Sequence, residues 1–215
     1  MPTIPICRAL LHPTRRVFFT NEQLRGFLGY FFIDDAEFHH HGPRAYHYPL
    51  VQYKQIGGSP LVLGIGPYAD VVQRRISEVA RLVFPSGTLD VRAIEITLET
   101  HELTFEPCNY EFITPWIALN QANYRRYTAL PPLEKKQLLE RILVGNILSF
   151  LKCIGVFAST RLTATLAHAR EVKVSAHHND FLAFRGAFTL NLSLPNYLGI
   201  GKSASKGFGT IRRIM

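Results

Sequence analysis

Residues 46–65 read YHYPLVQYKQIGGSPLVLGI, two β-rich runs that are joined by Gly57-Gly58-Ser59. Glycine-rich turns between β-branched and aromatic runs are typical of β-hairpins. We therefore predict two antiparallel strands, over residues 46–56 and 60–65, and place the neighbouring elements around this hairpin.

The segments that flank the hairpin complete an ordered set of elements. Before it, residues 3–10 alternate in polarity as a strand does, and Thr20-Asn21-Glu22 is a helix-start signal ahead of apolar residues at helical spacing. After it, residues 70–84 carry apolar side chains at helical spacing, and residues 91–105 alternate again. The order β-α-β-β-α-β predicts a ferredoxin-like domain.

The second half of the chain begins less regularly. A segment that contains Trp116 comes first, and a polar stretch follows over residues 120–127. The turn Pro131-Pro132 comes next. Residues 133–157 then predict a long helix with one apolar face. Strands are predicted over residues 161–166, 171–175 and 181–194.

A chain of 215 residues is long enough for two domains of about 100 residues each. We predict an α+β protein of two tandem ferredoxin-like, RRM-like domains. The N-terminal domain would span residues 1–107 and carry the histidine cluster His39-His40-His41. The C-terminal domain would span residues 108–215 and end in a glycine-rich loop.

Charge and cysteine usage restrict the function classes. Lysine and arginine outnumber the acids 24 to 16, and the net charge of +8 favours a polyanionic partner such as nucleic acid. The three cysteines form no Cys-x-x-Cys pair, which predicts buried thiols in a reducing cytoplasm. No secretion signal opens the chain, and its longest apolar run, residues 142–151, is too short for a membrane span. We therefore expect a cytoplasmic protein without a membrane role.

The glycine-rich loop, residues 199–209, reads GIGKSASKGFG, two Gly-hydrophobic-Gly triplets around five residues. Glycines allow tight turns and a close approach to a ligand, and Lys202 and Lys206 supply positive charge for phosphates. A Walker loop would need a glycine five residues before Gly201, where this chain has Asn196. The pattern therefore predicts an anion-binding loop of another kind.

This loop resembles the signature loop of the CRISPR-associated (Cas) proteins of the sixth family, in its b branch. Three further stretches extend the resemblance over most of the chain: residues 46–54 (YHYPLVQYK), 112–120 (FITPWIALN) and 143–148 (LVGNIL). The resemblance implies two tandem ferredoxin-like domains that bind a repeat RNA. It also implies an endoribonuclease that cleaves precursor CRISPR RNA within its repeats, without metal or cofactor, to make guide RNAs.

The histidine cluster supplies candidate catalytic groups. A base can activate the ribose 2′-hydroxyl for attack on the neighbouring phosphorus, leaving a 2′,3′-cyclic phosphate, and histidine, with a pKa of about 6.5, can act as base or acid. In an extended backbone His39 and His41 share one side. The family pattern of two histidines followed by Tyr-x-Tyr-Pro matches here, and it implies His41, His39 and Tyr46 as catalytic, with Tyr48 as the open alternative.

Basic and loop residues are the candidates for RNA binding. Arg125 and Arg126 lie between Tyr124 and Tyr127, and these tyrosines either stack on bases or belong to the core. The residues predicted to bind RNA are Lys54, Arg125, Arg126, Arg185, Gly201, Lys202, Ser203, Ser205, Lys206 and Gly207.

The expected partners are repeat RNA, guide RNA and other subunits of a CRISPR effector complex, and a homodimer stays open. A second hypothesis is a catalytically inactive subunit that holds the repeat-derived end of the guide RNA. A third is a nucleotide- or metal-dependent enzyme, which predicts activity that is lost with a chelator or gained with a cofactor.

Overall fold

The computed structural model describes residues 1–16, 18–35, 38, 47–176 and 179–214. The strands are β1 (Thr3–Pro13), β2 (Val51–Ile56), β3 (Ser59–Ile65), β4 (Arg81–Phe84), β5 (Gly87–Glu102), β6 (Cys108–Phe112), β7 (Ala164–Ala176), β8 (Asn179–Leu190) and β9 (Ile211–Ile214). The helices are α1 (Asn21–Phe31), α2 (Tyr68–Arg75), α3 (Gln121–Ala129) and α4 (Pro132–Cys153), with 3-10 turns at Ile76–Glu78 and Ala204–Lys206.

The chain divides into two compact units. The first unit consists of Thr3–His101 and Ser205–Gly207, and the second of Met1–Pro2, Glu102–Ala204 and Phe208–Met215. The predicted domain limits, residues 1–107 and 108–215, stay predictions.

The first unit contains a five-stranded sheet in the order β2-β3-β1-β5-β4. The predicted hairpin is present, since β2 and β3 pair antiparallel with Val51 opposite Gly64 and Ile56 opposite Ser59. Strand β3 also pairs antiparallel with β1. The order β2-β3-β1-β5 is that of a ferredoxin-like sheet, to which β4 adds an edge strand.

Helix α1 begins where the sequence predicts it. Thr20 Oγ1 accepts a hydrogen bond from the Gln23 backbone N–H at 3.2 Å, and Gln23 Oε1 accepts one from the Thr20 N–H at 2.9 Å. This capping box satisfies two donors that a helix start otherwise leaves without partners. The helix then buries Leu24 and Leu28 in the core of the first unit.

The helix predicted over residues 70–84 was wrong in its second half. Helix α2 ends at Arg75, and Arg81–Phe84 forms β4, which pairs antiparallel with β5. Leu82 and Phe84 are buried while Arg81 is exposed, an alternation typical of a strand. Over so short a run, alternating apolar residues also fit helical spacing, which explains the misassignment.

The second unit contains a four-stranded sheet in the order β7-β8-β6-β9. Its strands follow the same spatial order as β2-β3-β1-β5 of the first unit, which confirms the predicted fold class of two ferredoxin-like sheets. Residues 191–210, all of them described, connect β8 to β9 and carry the glycine-rich loop where the first unit has α2.

One local expectation for the second unit needs correction, and one stretch without an assigned element forms a helix. The strands predicted at residues 161–166 and 171–175 are one strand, β7, with a register shift between Leu166 and His168. The polar stretch at residues 120–127 forms α3, because Asn120 Oδ1 accepts a hydrogen bond from Asn123 N–H at 2.8 Å and caps the helix.

The long helix α4 is confirmed, and it ends at Cys153 rather than at the predicted residue 157. Gly155 follows with a φ of +71°, the left-handed conformation common just after helix ends. Among the described residues, no helix combines the length and apolar character that a membrane crossing requires.

Candidate functional site

The three catalytic candidates, His39, His41 and Tyr46, lie outside the described residues, so their roles stay predictions. The chain next to them is packed into the first unit. Phe38 is buried, and its carbonyl oxygen accepts a hydrogen bond from the Tyr53 hydroxyl at 3.1 Å. The alternative candidate Tyr48 is buried as well, with Gln52 Nε2 3.4 Å from its hydroxyl.

The glycine-rich loop has a defined backbone geometry. The Ile200 N–H donates to the Gly209 carbonyl at 2.8 Å, so the two glycine triplets lie side by side. The loop also pairs with the segment that contains Trp116. The N–H of Lys202, which follows the first triplet, donates to Ile117 O at 3.1 Å, and the N–H of Gly209, the end of the second triplet, donates to Pro115 O at 2.8 Å. These contacts fix both ends of the loop within the second unit.

Gly201 lies directly against a tryptophan. A Cβ at this position would be 2.5 Å from Trp116 Nε1, and the φ of +87° is itself unfavourable for a residue with a side chain. The Trp116 indole is fully buried and donates to Asn146 Oδ1 at 3.1 Å. Three of the sequence stretches that carry the family resemblance therefore meet at Trp116.

The tip of the loop, Ser205–Gly207, belongs to the first unit. A Cβ on Gly207 would be 2.1 Å from Asn21 Nδ2, so no larger residue fits there without displacing that side chain. Lys206 is only 8% exposed, and its ammonium group pairs with the Glu22 carboxylate. Lys206 is therefore engaged at the start of α1, and a contact with RNA phosphate would have to replace this ion pair.

Lys54 differs most from expectation. The sequence predicted a contact with phosphate, yet the side chain is 0% exposed, and within the described residues its Nζ has no hydrogen-bond partner. Burial lowers the pKa of Lys54 to about 7. Because the four residues Val51–Lys54 are all buried, the strand offers Lys54 no solvent-facing side. A contact of Lys54 with RNA stays a prediction, and it would require this side chain to become exposed.

The remaining predicted RNA-binding residues lie in the second unit, apart from Ser205. Lys202, Arg125 and Arg126 are exposed, and Ser203 is partly exposed. Arg185 is half-buried, and its Nη1 donates to Ile113 O at 3.1 Å. The structure thus leaves Lys202 and the two α3 arginines as the solvent-facing cations of the predicted set.

The two tyrosines of α3 have different roles. Tyr127 is buried, its ring packs edge-on against Phe184, and its hydroxyl donates to Glu171 Oε1 at 2.7 Å. Burial, followed by the hydrogen bond to Glu171, raises the pKa of the Tyr127 hydroxyl. Tyr124 is 47% exposed. Of the two alternatives, Tyr127 belongs to the core and Tyr124 is left for a ligand.

Sequence reasoning missed the residues that hold the loop in place. Asn21 and Glu22 contact it through side chains, and Asn146 accepts the hydrogen bond of the Trp116 indole that lies against Gly201. None of the three has a spacing that marks it as a partner of glycines far along the chain. The signal available was that residues 143–148 formed part of the family resemblance. In the described part of the chain, no three histidine, cysteine or acidic side chains cluster as metal ligands would.

Family profiles match nearly the whole sequence. The Cas6b N-terminal domain matches residues 3–102, and the Cas6b C-terminal domain matches residues 102–214. The chain belongs to the Cas6b family. This confirms the predicted resemblance, and it makes the chain a member of the Cas6 endoribonucleases that process CRISPR RNA.

Solved Cas6b structures have the same fold. A crystal structure of Cas6b has a TM-score of 0.91 at 29% sequence identity, covering 99% of this chain and 100% of that chain. A crystal structure of the CRISPR RNA processing endoribonuclease Cas6b has a TM-score of 0.78 at 28% identity, covering 99% and 100% of the two chains. An uncharacterised protein of Methanocaldococcus jannaschii is 48% identical over 105 residues, which are 49% of this chain and 71% of that protein.

Proposed function

We propose that this Cas6b protein is a metal-independent endoribonuclease that cleaves precursor CRISPR RNA within its repeats. The observation that carries the proposal is the likeness to Cas6b over the full length of both chains, at a TM-score of 0.91 and 29% identity. The histidine pair, the basic net charge of +8 and the glycine-rich loop with its exposed Lys202 support it.

The proposed reaction uses side chains alone for proton transfer. His41 takes the proton of the ribose 2′-hydroxyl, and the 2′-oxygen then attacks the adjacent phosphorus. The bond from phosphorus to the 5′-oxygen breaks, and His39 or Tyr46 gives that oxygen a proton. The products are a 2′,3′-cyclic phosphate and a free 5′-hydroxyl.

The repeat RNA is the proposed substrate and the cleaved guide RNA the proposed product. Exposed Lys202, Arg125 and Arg126 would neutralise backbone phosphates, with Ser203 and Arg185 nearby in sequence or in the same unit. We further propose that the protein keeps its product and so enters a CRISPR effector complex with other subunits.

Cleavage of a cognate repeat RNA in EDTA tests this function. We expect the wild type to cut, and we expect no cut with His41→Ala or with a substrate that carries a 2′-deoxy nucleotide at the cleavage position. Loss of cutting in EDTA alone would contradict the metal-independent mechanism. Tight binding with no wild-type cutting would favour the inactive subunit that holds the guide RNA.

A further inference from the structure

A cavity of about 530 Å³ opens beside the glycine-rich loop in the second unit. Its walls come from the start of α3, from β7 and β8, and from Lys202 of the loop. The side chains that matter for its chemistry are Gln121, Tyr124, Lys173, Asp180, Phe181 and Lys202. The volume falls within the range of about 300–1,000 Å³ that is typical of small-molecule sites, which is enough for one nucleotide.

Helix α3 forms a fixed wall of this cavity. Asn120 caps its first turn, and Tyr127 anchors its last turn through the hydrogen bond to Glu171 and the contact with Phe184. Lys135 Nζ lies over the Tyr127 ring, 4.9 Å from the ring centroid. Tyr124 lies on the same helix, so its exposed side chain extends from a backbone that these contacts fix in place.

Aromatic surface and positive charge lie together in the cavity. Tyr124 is 47% exposed, and Phe181 is partly exposed. The ammonium group of Lys202 lies 4.4 Å from the centroid of the Phe181 ring, a cation–π contact that keeps the charge at the aromatic wall. Aromatic faces stack on nucleobases, and an adjacent ammonium group suits the phosphate that the base carries.

The lysines of the cavity are not neutralised by ion pairs. Within the described residues, no carboxylate lies within ion-pair distance of Lys202 or Lys173, and Asp180 is the acid that lines the cavity. Other cations are paired: Arg8 with Glu99 at 2.7 Å and Arg81 with Asp90 at 2.6 Å, both in the first unit. Among the described residues that line the cavity, two lysines against one aspartate leave a positive excess.

We propose that this cavity binds one unpaired nucleotide of the substrate RNA, with its base against Tyr124 and its phosphate at Lys202. The inference rests on the proposed function, since it names where that RNA is read. Gln121 adds an amide that can hydrogen-bond a base edge, and Lys173 supplies a second contact for phosphate. A base enclosed in a duplex could not reach the Tyr124 face, so the nucleotide must be unstacked.

The test combines an abasic scan of the repeat RNA with variants of Tyr124. Each nucleotide of a non-cleavable, 2′-deoxy-substituted repeat is replaced in turn by an abasic one, and binding is measured by fluorescence anisotropy. We expect one position at which the abasic change weakens wild-type binding roughly 5- to 150-fold, the loss of one stacked base. Tyr124→Leu should weaken binding of the intact RNA by a similar factor and add nothing when that position is abasic.

Two control variants keep the test specific. Tyr124→Phe retains the stacking face and should bind as the wild type does. Tyr30→Leu removes an exposed tyrosine of the first unit, 78% exposed, and should leave binding unchanged.

Lys202→Met should weaken binding for every RNA, whichever nucleotide is abasic, because a phosphate contact carries no base identity.

The outcomes separate this inference from the proposed function. Wild-type binding and cutting with no effect of Tyr124→Leu would overturn the nucleotide site and leave the function standing, whereas a wild type that neither binds nor cuts would remove both. Free adenosine, cytidine, guanosine and uridine monophosphates are titrated against the protein as well. Tight binding of one of them that depends on Tyr124, together with unchanged RNA binding, would overturn the assignment to RNA.

Discussion

Gly201 satisfies two requirements that only glycine meets together. Its φ of +87° is strained for residues with a side chain, and the Trp116 indole occupies the space that a Cβ would need. The glycines of such a loop are readily ascribed to ligand binding, because glycine lets a backbone approach a ligand. At Gly201 the close approach is to a buried tryptophan, so the residue is required for packing whether or not RNA contacts it.

Gly201→Ala should therefore lower the free energy of unfolding by more than its backbone conformation alone accounts for. We expect about 2–5 kcal/mol, the sum of left-handed strain and overpacking. Gly57→Ala is the matched control, since Gly57 has a φ of +59° and a Cβ added there would have no atom within 4 Å. That control should cost about 1–2 kcal/mol. Urea unfolding measures both, and equal losses would show that Trp116 moves aside at no cost.

Lys54→Met should raise the free energy of unfolding at pH 7. The folded pKa of about 7 lies below the ordinary value of about 10.4, so the burial penalty is fully present below pH 7. Between these two pKa values the unfolded chain binds more protons than the folded one, and wild-type stability should rise with pH. An apolar replacement of similar length should add about 1–4 kcal/mol at pH 7.

The measurement for Lys54 is urea unfolding of wild type and variant at pH 7 and pH 9. Between pH 7 and pH 9, Lys54 should make the free energy of unfolding of the wild type rise. The Lys54→Met variant should lack this part of the rise. Lys152→Met, which replaces an exposed lysine of α4, should keep the wild-type pH dependence. An unchanged pH dependence in Lys54→Met would mean that Lys54 is charged in the folded protein.

The two lysines of the glycine-rich loop differ in exposure and in ion pairing. Lys202 is exposed beside Phe181, whereas Lys206 is buried and paired with Glu22. Of these two lysines, Lys202 should release counterions from RNA on binding, whereas Lys206 should not, because it is already paired with Glu22. The two lysines are therefore expected to differ in how strongly they make RNA binding depend on salt.

Lys202→Ala should reduce the slope of log affinity against log salt concentration by about 1, the loss of one phosphate contact. Lys206→Ala should leave that slope nearly unchanged and should instead lower the stability of the protein. Anisotropy titrations of repeat RNA over a series of salt concentrations give the slopes. An equal reduction in both variants would show that RNA displaces Glu22 from Lys206.

The elements that could be predicted from the sequence carry local signals. The Gly57-Gly58-Ser59 turn specified the hairpin, and the Thr20 capping box specified the start of α1. The prediction for residues 81–84 was wrong because four alternating residues fit both the helical and the strand periodicity. Residues 120–127 received no assignment from the sequence, because their polar composition masked a capped helix.

The candidate site depended more on contacts between distant residues. Local sequence predicted a ligand contact for Lys202, but it did not distinguish Tyr124 from Tyr127. It did not predict the burial of Lys54 either, because β2 lacks the alternation that marks a solvent-facing side. The packing of Gly201 against Trp116 brings together residues that are 85 positions apart in the sequence (201 − 116), and Trp116 in turn donates to Asn146, 30 positions further along. No local pattern contains such a contact.

The whole chain should unfold in one step, since each unit includes a short segment whose sequence neighbours belong to the other. Cys7, in the first unit, is buried with its pKa raised to about 11 by burial, and Cys108, in the second, is buried as well. Cys153 is partly exposed. These three thiols allow the two units to be followed separately.

Alkylation with iodoacetamide in increasing urea, read by mass spectrometry for each cysteine, tests this expectation. Cys153 should react in the native protein, because it is the partly exposed thiol. Cys7 and Cys108 should become reactive at the same urea concentration, because the units unfold together. Separate midpoints for these two cysteines would mean that the units unfold independently.

The tip of the glycine-rich loop has a consequence for hybrids between family members. A gene that joins the front half of one relative to the back half of another would combine an Asn21 and Glu22 from one parent with a Lys206 and Gly207 from the other. A misfit at any of these positions would leave a charge without its partner or a side chain in occupied space. Parents for such exchanges should therefore be chosen for agreement at these four positions before their overall similarity is considered.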